Sequence, residues 1–297
     1  MNEILLTVFT PAYNRAHTLP RTYESLCRQS CKQFVWLIVD DGSTDETAEL
    51  VKKWQAVDQG FEIRYVYKEN GGMHTAHNTA YEVIDTPLNT CIDSDDMLAE
   101  NAVHEILEKW NQVRDTGVAG IIGLDADFSG KIIGKGFPEG MTETSVIGYY
   151  AAGGAGDKKL VYRTDIINSV PSYPVFEGEK YVALSYKYRL LDQQYKMAVL
   201  DKVLCNVEYQ ADGSTGTMYK QYLKNPRGFA FWRKICMQYP MSSKRLLVDC
   251  MHYVSSSLIS GNRRFIQESP RKLLTVLMVP CGVLWTFYVK YKARAGA

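Results

Sequence analysis

The sequence lacks a charge bias, and its cysteines have no paired spacing. Its 34 basic and 33 acidic residues leave a formal net charge of +1, so no bulk field favours nucleic acid or a strongly acidic partner. The seven cysteines are scattered and odd in number, which argues against a disulfide framework. Cys27 and Cys31 lie four residues apart, but no cysteine or histidine at zinc spacing follows them. These features are typical of a protein in a reducing cytosol.

The sequence also lacks internal repeats and a long hydrophobic run. Residues 1–6 have no basic region and no extended apolar core, so they are expected to begin a strand and not a signal peptide. The uncharged stretch 273–289 is shorter than the roughly 20 residues that a spanning helix needs. It contains Pro280 and Gly282, and basic clusters flank it. We expect a kinked helix in the membrane interface; the alternative is a C-terminal helix that packs on the protein.

Strand and helix patterns alternate from residue 4 to residue 114. The run Phe34–Val39 is continuously apolar, as expected for a strand that is buried on both faces. The alternation predicts an α/β fold with a mostly parallel sheet flanked by helices. Strands are predicted at 4–9, 34–39, 62–67 and 88–92, and helices at 18–30, 46–55, 74–83 and 99–114.

Beyond residue 115 the pattern becomes mixed and then helical. We predict an α/β domain at 1–215, with halves at 1–97 and 98–215, and a helical, membrane-associating region at 216–297. The further elements are a hairpin from 118–124 and 131–135, helices at 144–151, 180–195, 219–238 and 243–259, and strands at 160–162, 197–200 and 203–209.

Polar clusters follow all four of the first strands, at residues 11–14, 40–45, 68–72 and 93–96. Because ligands bind outside the carboxyl ends of the strands in such sheets, these clusters outline a single site.

The last cluster places three carboxylates, Asp93, Asp95 and Asp96, within four residues. Their mutual repulsion requires a cation or hydrogen-bond donors nearby. A hard divalent ion with carboxylate and phosphate-oxygen ligands is one form of compensation. The alternative is a solvated turn in which Asp96 caps the helix that begins near Ala99.

Three motifs, in this order and spacing, resemble the family 2 glycosyltransferases of GT-A fold. They are Phe9–Asn14 (Phe-Thr-Pro-Ala-Tyr-Asn), Val39–Asp45 (Val-Asp-Asp-Gly-Ser-Thr-Asp) and Asp93–Asp96 (Asp-Ser-Asp-Asp). The resemblance covers residues 4–215. It implies a Rossmann-like GT-A fold whose first half binds the nucleotide and whose second half binds the acceptor. It also implies inverting transfer of a sugar from a nucleoside diphosphate donor, usually a UDP-sugar, to a hydroxyl, with Mn²⁺ or Mg²⁺.

The resemblance assigns roles to the residues at the strand ends. Asp95 is the implied direct metal ligand, and Asp93 would contact the ribose or the metal. Asp40 resembles the acid that accepts a hydrogen bond from the N–H of uracil. Asp41 is expected to organise the turn and to cap the next helix. The other implied nucleotide contacts are Thr10, Pro11, Tyr13, Asn14 and Ser94.

The segment Asn70–Asn78 occupies the position of the family's Gly-x-x-x-Ala-Arg-Asn segment. Glycines such as Gly71 permit a close approach of the backbone, and a helix N-terminus favours phosphate. His77 stands where an arginine is common, so it either has a structural role or contacts the diphosphate when protonated. Lys68 either approaches the nucleotide or remains a solvated surface lysine.

Inverting transfer requires a general base for the acceptor hydroxyl, and the family carries a Glu-Asp pair before a helix. In this sequence Glu179 falls on the glutamate of that pair, and Lys180 replaces the aspartate. A lysine amine is protonated at neutral pH unless it is buried, so it is a poor base. Glu179 is the first candidate and Glu177 the second. The segment Tyr209–Ser214 resembles a late loop that closes over the diphosphate.

The resulting hypothesis is a metal-dependent, inverting glycosyltransferase of bacterial cell-surface polysaccharide synthesis. Its acceptor would be a glycan or lipid-linked glycan. It would work in the cytoplasm, peripheral to the inner face of the cell membrane and held there through residues 273–289. One alternative is a non-catalytic nucleotide-sugar binding subunit, which only Lys180 supports. Another is a nucleotidyltransferase, but Thr10–Asn14 lacks the glycines and basic cluster that hold a triphosphate.

Overall fold

The computed structural model describes residues 4–208 and 218–295. The chain forms two compact units. The sheet unit comprises Met1–Ser172 and Leu190–Glu208, and the helical unit comprises Tyr173–Arg189 and Tyr209–Ala297. Tyr173–Arg189 therefore belongs with the C-terminal helices, whereas the sequence predicts a single boundary at residue 215.

The sheet unit contains one nine-stranded sheet. Its strands are β1 (Leu6–Ala12), β2 (Phe34–Asp40), β3 (Glu62–Tyr67), β4 (Leu88–Cys91), β5 (Met97–Leu98), β6 (Gly120–Ala126), β7 (Glu143–Thr144), β8 (Lys158–Arg163) and β9 (Met197–Asn206). They are hydrogen-bonded in the order β3-β2-β1-β4-β8-β6-β9-β5, and β7 pairs with β9.

Most of the strands run in one direction. β1 pairs in parallel with both β2 and β4, and β2 pairs in parallel with β3. β8 is antiparallel to β4 and to β6, so β6 points the same way as β4, and β9 is parallel to β6. β5 and β7 are antiparallel to β9. The predicted mostly parallel α/β sheet is confirmed, and the carboxyl ends of β1 to β4 lie at one edge of it.

Helices flank this sheet, which explains why β1 and β2 are buried along their whole length. The predicted β-α repeat is confirmed, with element ends shifted by a few residues. The helices before residue 173 are α1 (Leu19–Cys27), α2 (Thr47–Gln55), α3 (Met73–Val83), α4 (Ala102–Val113), α5 (Val146–Ala151) and α6 (Thr164–Asn168).

The predicted hairpin after residue 118 forms only near its turn. The Asp127 N–H donates to the Lys131 carbonyl and the Ile133 N–H to the Asp125 carbonyl, both at 2.9 Å, on either side of an isolated bridge between Ala126 and Ile132. Over most of its length β6 pairs with β8 and β9, which are distant in sequence. The two strands predicted at 197–200 and 203–209 are one continuous strand, β9.

The helical unit is built around a long helix. Its elements are α7 (Ser185–Leu191, which crosses into the sheet unit), α8 (Met218–Lys224), α9 (Pro226–Gln238), α10 (Ser243–Ile259), α11 (Phe265–Glu268), α12 (Lys272–Leu277) and α13 (Val279–Arg294). α10 packs against α9, α12 and α13. The buried pair of Arg233 on α9 and Asp249 on α10, 2.7 Å apart, joins the first two.

Two helix predictions need correction. The helix predicted at 180–195 is limited to α7, because the preceding residues are held in a loop by hydrogen bonds to α9. The segment 273–289 does contain a break, but it lies at Met278, which ends α12 and begins α13. No helix among the described residues has the length and apolar character needed to cross a membrane.

Candidate functional site

The loops that follow β1 (residues 13–18, the β1 loop) and β2 (residues 41–46, the β2 loop) are tied together. Asn14 has a positive φ of 54°, its backbone N–H donates to Ser43 Oγ at 2.9 Å, and its Oδ1 accepts from the Thr44 N–H at 2.8 Å. Asp45 Oδ2 accepts from the Ala16 N–H at 3.0 Å. Tyr13, between these anchors, is 49% exposed, so a rigid loop presents an open aromatic ring.

Asp40 lies at the carboxyl end of β2 and is almost fully buried. Its Oδ1 accepts from the Ser43 N–H at 2.7 Å, and its Oδ2 accepts from the Tyr65 hydroxyl at 2.5 Å. Through its bond to the Ser43 N–H, Asp40 thereby fixes the conformation of the β2 loop. An ionised carboxylate has about four lone-pair sites, so two remain for a further donor.

Thr10 and Pro11 are buried within β1. Thr10 Oγ1 accepts from the indole N–H of Trp36 at 3.0 Å, and Pro11 lies in register with Val39 of β2. Both residues lie in a strand that is buried along its whole length, beneath the loops, and their contact with a nucleotide stays a prediction. Ser94 is also buried.

Asp41 fastens the loop after β3, residues 68–72, to the β2 loop. Its Oδ1 accepts from Lys68 Nζ at 2.5 Å and from the Gly71 N–H at 3.0 Å, and its Oδ2 accepts from the Gly72 N–H at 2.8 Å. Lys68 is therefore paired within the protein and is not simply a solvated surface lysine, whereas its approach to a nucleotide stays a prediction.

Asp41 organises the turn, as expected, but it does not cap α2. Asp45 takes that role, because it accepts from the Thr47 N–H at 3.1 Å.

The close contact between these two loops requires a glycine at position 42. Gly42 has a φ of +83°, and a Cβ there would stand 2.8 Å from the Asn70 backbone nitrogen. A larger residue would be strained in its backbone and would also push the β3 loop away.

Two histidines of α3 have different surroundings. His77 is fully buried: its ring packs edge-on against Phe9 with centroids 5.0 Å apart, and its Nε2 lies 3.7 Å from Cys91 Sγ. The structure thus favours the structural alternative for His77. His74, in the first turn of α3, is 2% exposed, and neither of its ring nitrogens has a hydrogen-bond partner.

The ring of His74 is neutral at physiological pH. Burial lowers its pKa to about 4; Asp41 opposes this shift, and Lys68 adds to it. A neutral imidazole offers one donor and one acceptor. Two unpaired ring nitrogens thus lie buried at the N-terminus of α3, beside the Asp41–Lys68 pair. The sequence pointed to His77, because only that position matched the family's arginine.

The three aspartates in the loop after β4 (residues 92–96) differ in their exposure to solvent. Asp93 is exposed, Asp95 is half-buried and Asp96 is buried. Asp96 does not cap a helix: Met97 and Leu98 form β5 directly after it, and α4 has Asn101 as its N-cap. The capping alternative for Asp96 is therefore wrong.

A buried lysine that the sequence did not suggest faces these acids. Lys159 of β8 donates to the Cys91 carbonyl at 3.2 Å. Burial opposes its charge, but Cys205, Asp125, Asp96 and Asp93 raise its pKa well above the ordinary value. Because β8 runs antiparallel to β4, its first residues reach the edge where the parallel strands end. The sequence feature that could have indicated this lysine is the pair of lysines at 158–159, which precedes an apolar run.

Even with Lys159, the acids outnumber the cations. Burial raises the pKa of Asp96 to about 8; Lys159 opposes this, whereas Asp93, Asp95 and Asp125 increase it. Burial likewise raises the pKa of Asp125 to about 6, and its Oδ1 has no hydrogen-bond partner. Burial among other acids therefore favours the protonated form of Asp96 at neutral pH, and a bound cation would favour the ionised form instead.

The donor set fits a divalent ion only in part. Asp93 and Asp95 offer accessible carboxylate oxygens, the ligands that Mg²⁺ and Mn²⁺ prefer. Across residues 4–208 and 218–295, however, no three acidic, histidine or cysteine side chains converge into a complete metal cage. The residues thus suit an ion whose remaining ligands come from water and from a phosphate-bearing substrate.

The two candidate bases lie in the helical unit. Glu179 is buried, and its carboxylate caps α9: Oε1 accepts from the Arg227 N–H and from Arg227 Nε, both at 3.0 Å, and Oε2 accepts from the Gly228 N–H at 2.8 Å. These three hydrogen bonds engage both oxygens of the carboxylate. Glu177 is exposed, and its backbone carbonyl accepts from Arg227 Nη2. The loop Tyr209–Ser214, with Asp212, lies outside the described residues.

Comparison with known proteins identifies the sheet unit. A model of glycosyl transferase family 2 matches residues 7–149. A teichoic acid poly(glycerol phosphate) polymerase of Staphylococcus epidermidis is 36% identical over 107 residues, which are 36% of this chain and 15% of that protein. The chain spans 14% to 41% of the length of seven further curated relatives.

Two solved structures share the fold. S. aureus TarS 1-349 in complex with UDP-GlcNAc has a TM-score of 0.59 at 16% identity, over 98% of this chain and 92% of that one. The mannosyltransferase PcManGT from Pyrobaculum calidifontis, in complex with GDP-Man and Mn²⁺, has a TM-score of 0.57 at 14% identity, over 97% and 88%. At these identities the likeness establishes the GT-A fold alone.

Proposed function

We propose that this chain, whose residues 7–149 belong to glycosyl transferase family 2, transfers a sugar from a UDP-sugar to a hydroxyl of a glycan or lipid-linked glycan with inversion. The observation that carries the proposal is the common edge of the sheet. Four adjacent parallel strands end at this edge. The loops after β1, β2 and β3 are hydrogen-bonded to one another, and the loop after β4 carries three aspartates. In sheets of this kind that edge binds the ligand.

The loops after β1, β2 and β3 would hold the nucleoside. Tyr13 offers an exposed ring on which a base or ribose can stack, and Asp40 retains lone pairs for the uracil N–H. His74 would pair with the donor through its two unpartnered ring nitrogens. Gly71 and Gly72 let the backbone approach closely, although their N–H groups are committed to Asp41.

Asp95 would be the direct ligand of Mn²⁺ or Mg²⁺, and Asp93 would contact the ion or the ribose. When bound, such an ion acts as a Lewis acid on the departing diphosphate. Lys159 stays buried within the protein, and its charge would limit the mutual repulsion of Asp93, Asp96 and Asp125. The Mn²⁺ in the PcManGT complex supports this assignment.

A glutamate of the segment 177–179 would accept the proton of the acceptor hydroxyl. Because three hydrogen bonds engage the Glu179 carboxylate, we assign the proton transfer to Glu177. Glu179 then acts as a positioning residue that fixes the loop against α9.

A wall or capsule polymer, or its lipid-linked precursor, is the acceptor that the relatives favour. The support is the teichoic acid polymerase relative and the chondroitin synthase of Escherichia coli, which is 28% identical over 133 residues. A lipid-linked acceptor presents its reactive hydroxyl near the bilayer, so the chain would work at the inner face of the cell membrane.

The test is release of UDP from a panel of UDP-sugars, with and without Mn²⁺, by wild type, Asp95→Ala and the control Asp115→Asn. Asp115 is an exposed acid after α4. We expect metal-dependent release that Asp95→Ala abolishes and Asp115→Asn preserves. Unchanged release by Asp95→Ala would refute the metal assignment, and UDP-sugar binding without turnover on any acceptor would favour the non-catalytic alternative.

A further inference from the structure

The last two helices turn their largest apolar side chains to solvent. On α12, Leu273 is 84% exposed and Leu277 is 73% exposed; on α13, Leu284, Phe287 and Tyr291 are 70%, 65% and 68% exposed. These five residues form the outer face. Their spacing within each helix, three or four residues apart, places them along one side of it. Soluble proteins rarely leave so many large apolar groups together in water without a function.

The inner side of α13 explains this orientation. Its buried residues are small or β-branched: Gly282, Thr286 and Val289. A Cβ on Gly282 would stand 2.4 Å from Val254 Cγ1 of α10, and Thr286 Oγ1 donates to Ser255 Oγ at 2.9 Å. This small face fits closely against α10, and the ring of Trp285 packs beside it on His252 of α10, with centroids 4.8 Å apart. Rotation of α13 to bury its large side chains would therefore create severe overlap.

The charges around the outer face are all of one sign. After Glu268 the chain has no acidic residue, whereas it has Arg271, Lys272, Lys290, Lys292 and Arg294. With 3.6 residues per turn, Lys292 and Arg294 lie roughly 80° to either side of Leu284 around the helix axis. An apolar strip with cations along both margins matches the boundary between acyl chains and anionic headgroups.

The lengths favour a helix that lies in the interface. α13 has 16 residues, which is about 24 Å at 1.5 Å per residue, less than the roughly 30 Å of a bilayer hydrocarbon core. One whole side of it is also occupied by α10. The apolar side chains can therefore enter a membrane only from the flank.

We propose that the outer face docks flat on an anionic bilayer, with Leu284, Phe287 and Tyr291 inserted below the headgroups and Lys292 and Arg294 bound to them. The occupant is the lipid surface because the five cations would repel a second copy of the same face. This inference does not depend on glycosyl transfer. It assigns to α12 and α13 a membrane contact that neither the family model nor the fold likeness covers.

The experiment is flotation of the full chain with vesicles of phosphatidylglycerol and phosphatidylcholine, and with vesicles of phosphatidylcholine alone. The variants are Leu284→Ser/Phe287→Ser, Lys292→Glu/Arg294→Glu, and the control Val57→Ser, which alters an exposed apolar residue of the sheet unit. Wild type and Val57→Ser should bind anionic vesicles, and each double variant should bind at least about tenfold more weakly. Far-UV circular dichroism checks that each variant is folded.

Equal binding by wild type and both double variants would overturn the proposal. So would a wild-type dimer that Leu284→Ser/Phe287→Ser dissociates in the absence of any vesicle binding, because the face would then join two copies. UDP release in vesicle-free buffer should be the same for Leu284→Ser/Phe287→Ser and wild type. The experiment can therefore show a loss of membrane binding without a loss of UDP release, or the reverse.

Discussion

Asp41 and Lys68 form an ion pair of 2.5 Å that joins the loops after β2 and β3. The Asp41 side chain is 5% exposed and that of Lys68 is 20% exposed. The same carboxylate accepts from two consecutive backbone N–H groups, Gly71 and Gly72. One buried acid therefore fixes the conformation of a glycine-rich loop that would otherwise have many conformations.

Asp41→Ala should lower the free energy of unfolding by about 3 kcal/mol, because it leaves a cation and two N–H groups without their acceptor. Asp41→Asn retains one oxygen and should lose less. Urea denaturation measures both, with Asp58→Ala, an exposed acid, as the control expected to stay within about 0.5 kcal/mol of wild type. A loss no larger than that of the control would show that Asp41 does not stabilise the loop.

Substitutions at Glu177 and Glu179 should have different effects, the first on catalysis and the second on stability. Glu177→Gln should reduce sugar transfer by about 100-fold or more, the usual contribution of a general base, without changing the free energy of unfolding. Glu179→Ala should destabilise the helical unit by about 3 kcal/mol, because Arg227 and the Gly228 N–H lose their acceptor. Transfer assays and urea denaturation measure the two effects. Loss of transfer in a stable Glu179→Gln variant, with normal transfer in Glu177→Gln, would identify Glu179 as the base.

His74→Phe should weaken UDP binding about tenfold while leaving the protein at least as stable. The phenyl ring fills the same space, and it removes two buried nitrogens that have no partner in the protein. Calorimetric titration with UDP and thermal unfolding measure the two quantities. His104→Phe, on the exposed side of α4, is the matched control. Unaltered UDP affinity in His74→Phe would leave His74 as a core residue only.

His252 of α10 should make the helical unit sensitive to acid. Burial, together with the charges of Arg233 and Arg245, lowers its pKa from 6.5 to about 3. Because the folded pKa is depressed, its contribution is complete above pH 6.5 and is lost as the pH falls towards 3. At pH 5 the loss is about 2 kcal/mol.

His252→Phe should therefore show a shallower decline in stability between pH 6.5 and pH 5 than wild type. Urea denaturation across this range, followed by far-UV circular dichroism, provides the comparison. If the free energy of unfolding declined equally in the two proteins, His252 would not be the source of the acid sensitivity. His74 titrates in a similar range and is unchanged in both, so it cancels in the difference.

The first half of the fold could be predicted from the sequence, because residues that are close together in the chain determine its strands and helices. The run Phe34–Val39 is apolar throughout and lies between turn residues, and β2 extends over it with one residue added. β1, β2 and β3 pair with strands that precede or follow them directly in the chain, so pattern and topology agree there. The polar clusters at the strand ends followed from the same pattern.

The second half of the fold depends on partners that periodicity does not specify. β6 pairs mainly with β8 and β9, and only its last residues are bonded to the adjacent segment 131–135. β5 has two residues, too few to show any alternation. The helix predicted at 180–195 began too early, because the Lys180 N–H is bound to Asn225, 45 residues later.

The candidate site was predicted in outline but not in its buried contacts. Exposed Tyr13 and the open acids Asp93 and Asp95 lie where strand-end reasoning placed them. Sequence patterns did not distinguish His74 from His77, because both lie on α3 and only the fold shows which ring has partners. Lys159 was missed because its place beside the acids depends on β8 running antiparallel.

The hydrogen bonds from the Asn14 N–H to Ser43 Oγ and from the Gly72 N–H to Asp41 Oδ2 join the first three loops into one connected unit. A change of length in any one of them would displace the other two. Donor preference should therefore be hard to alter by exchanging a single loop with a relative. Transplanting residues 13–18, 41–46 and 68–72 together is the exchange that this architecture permits.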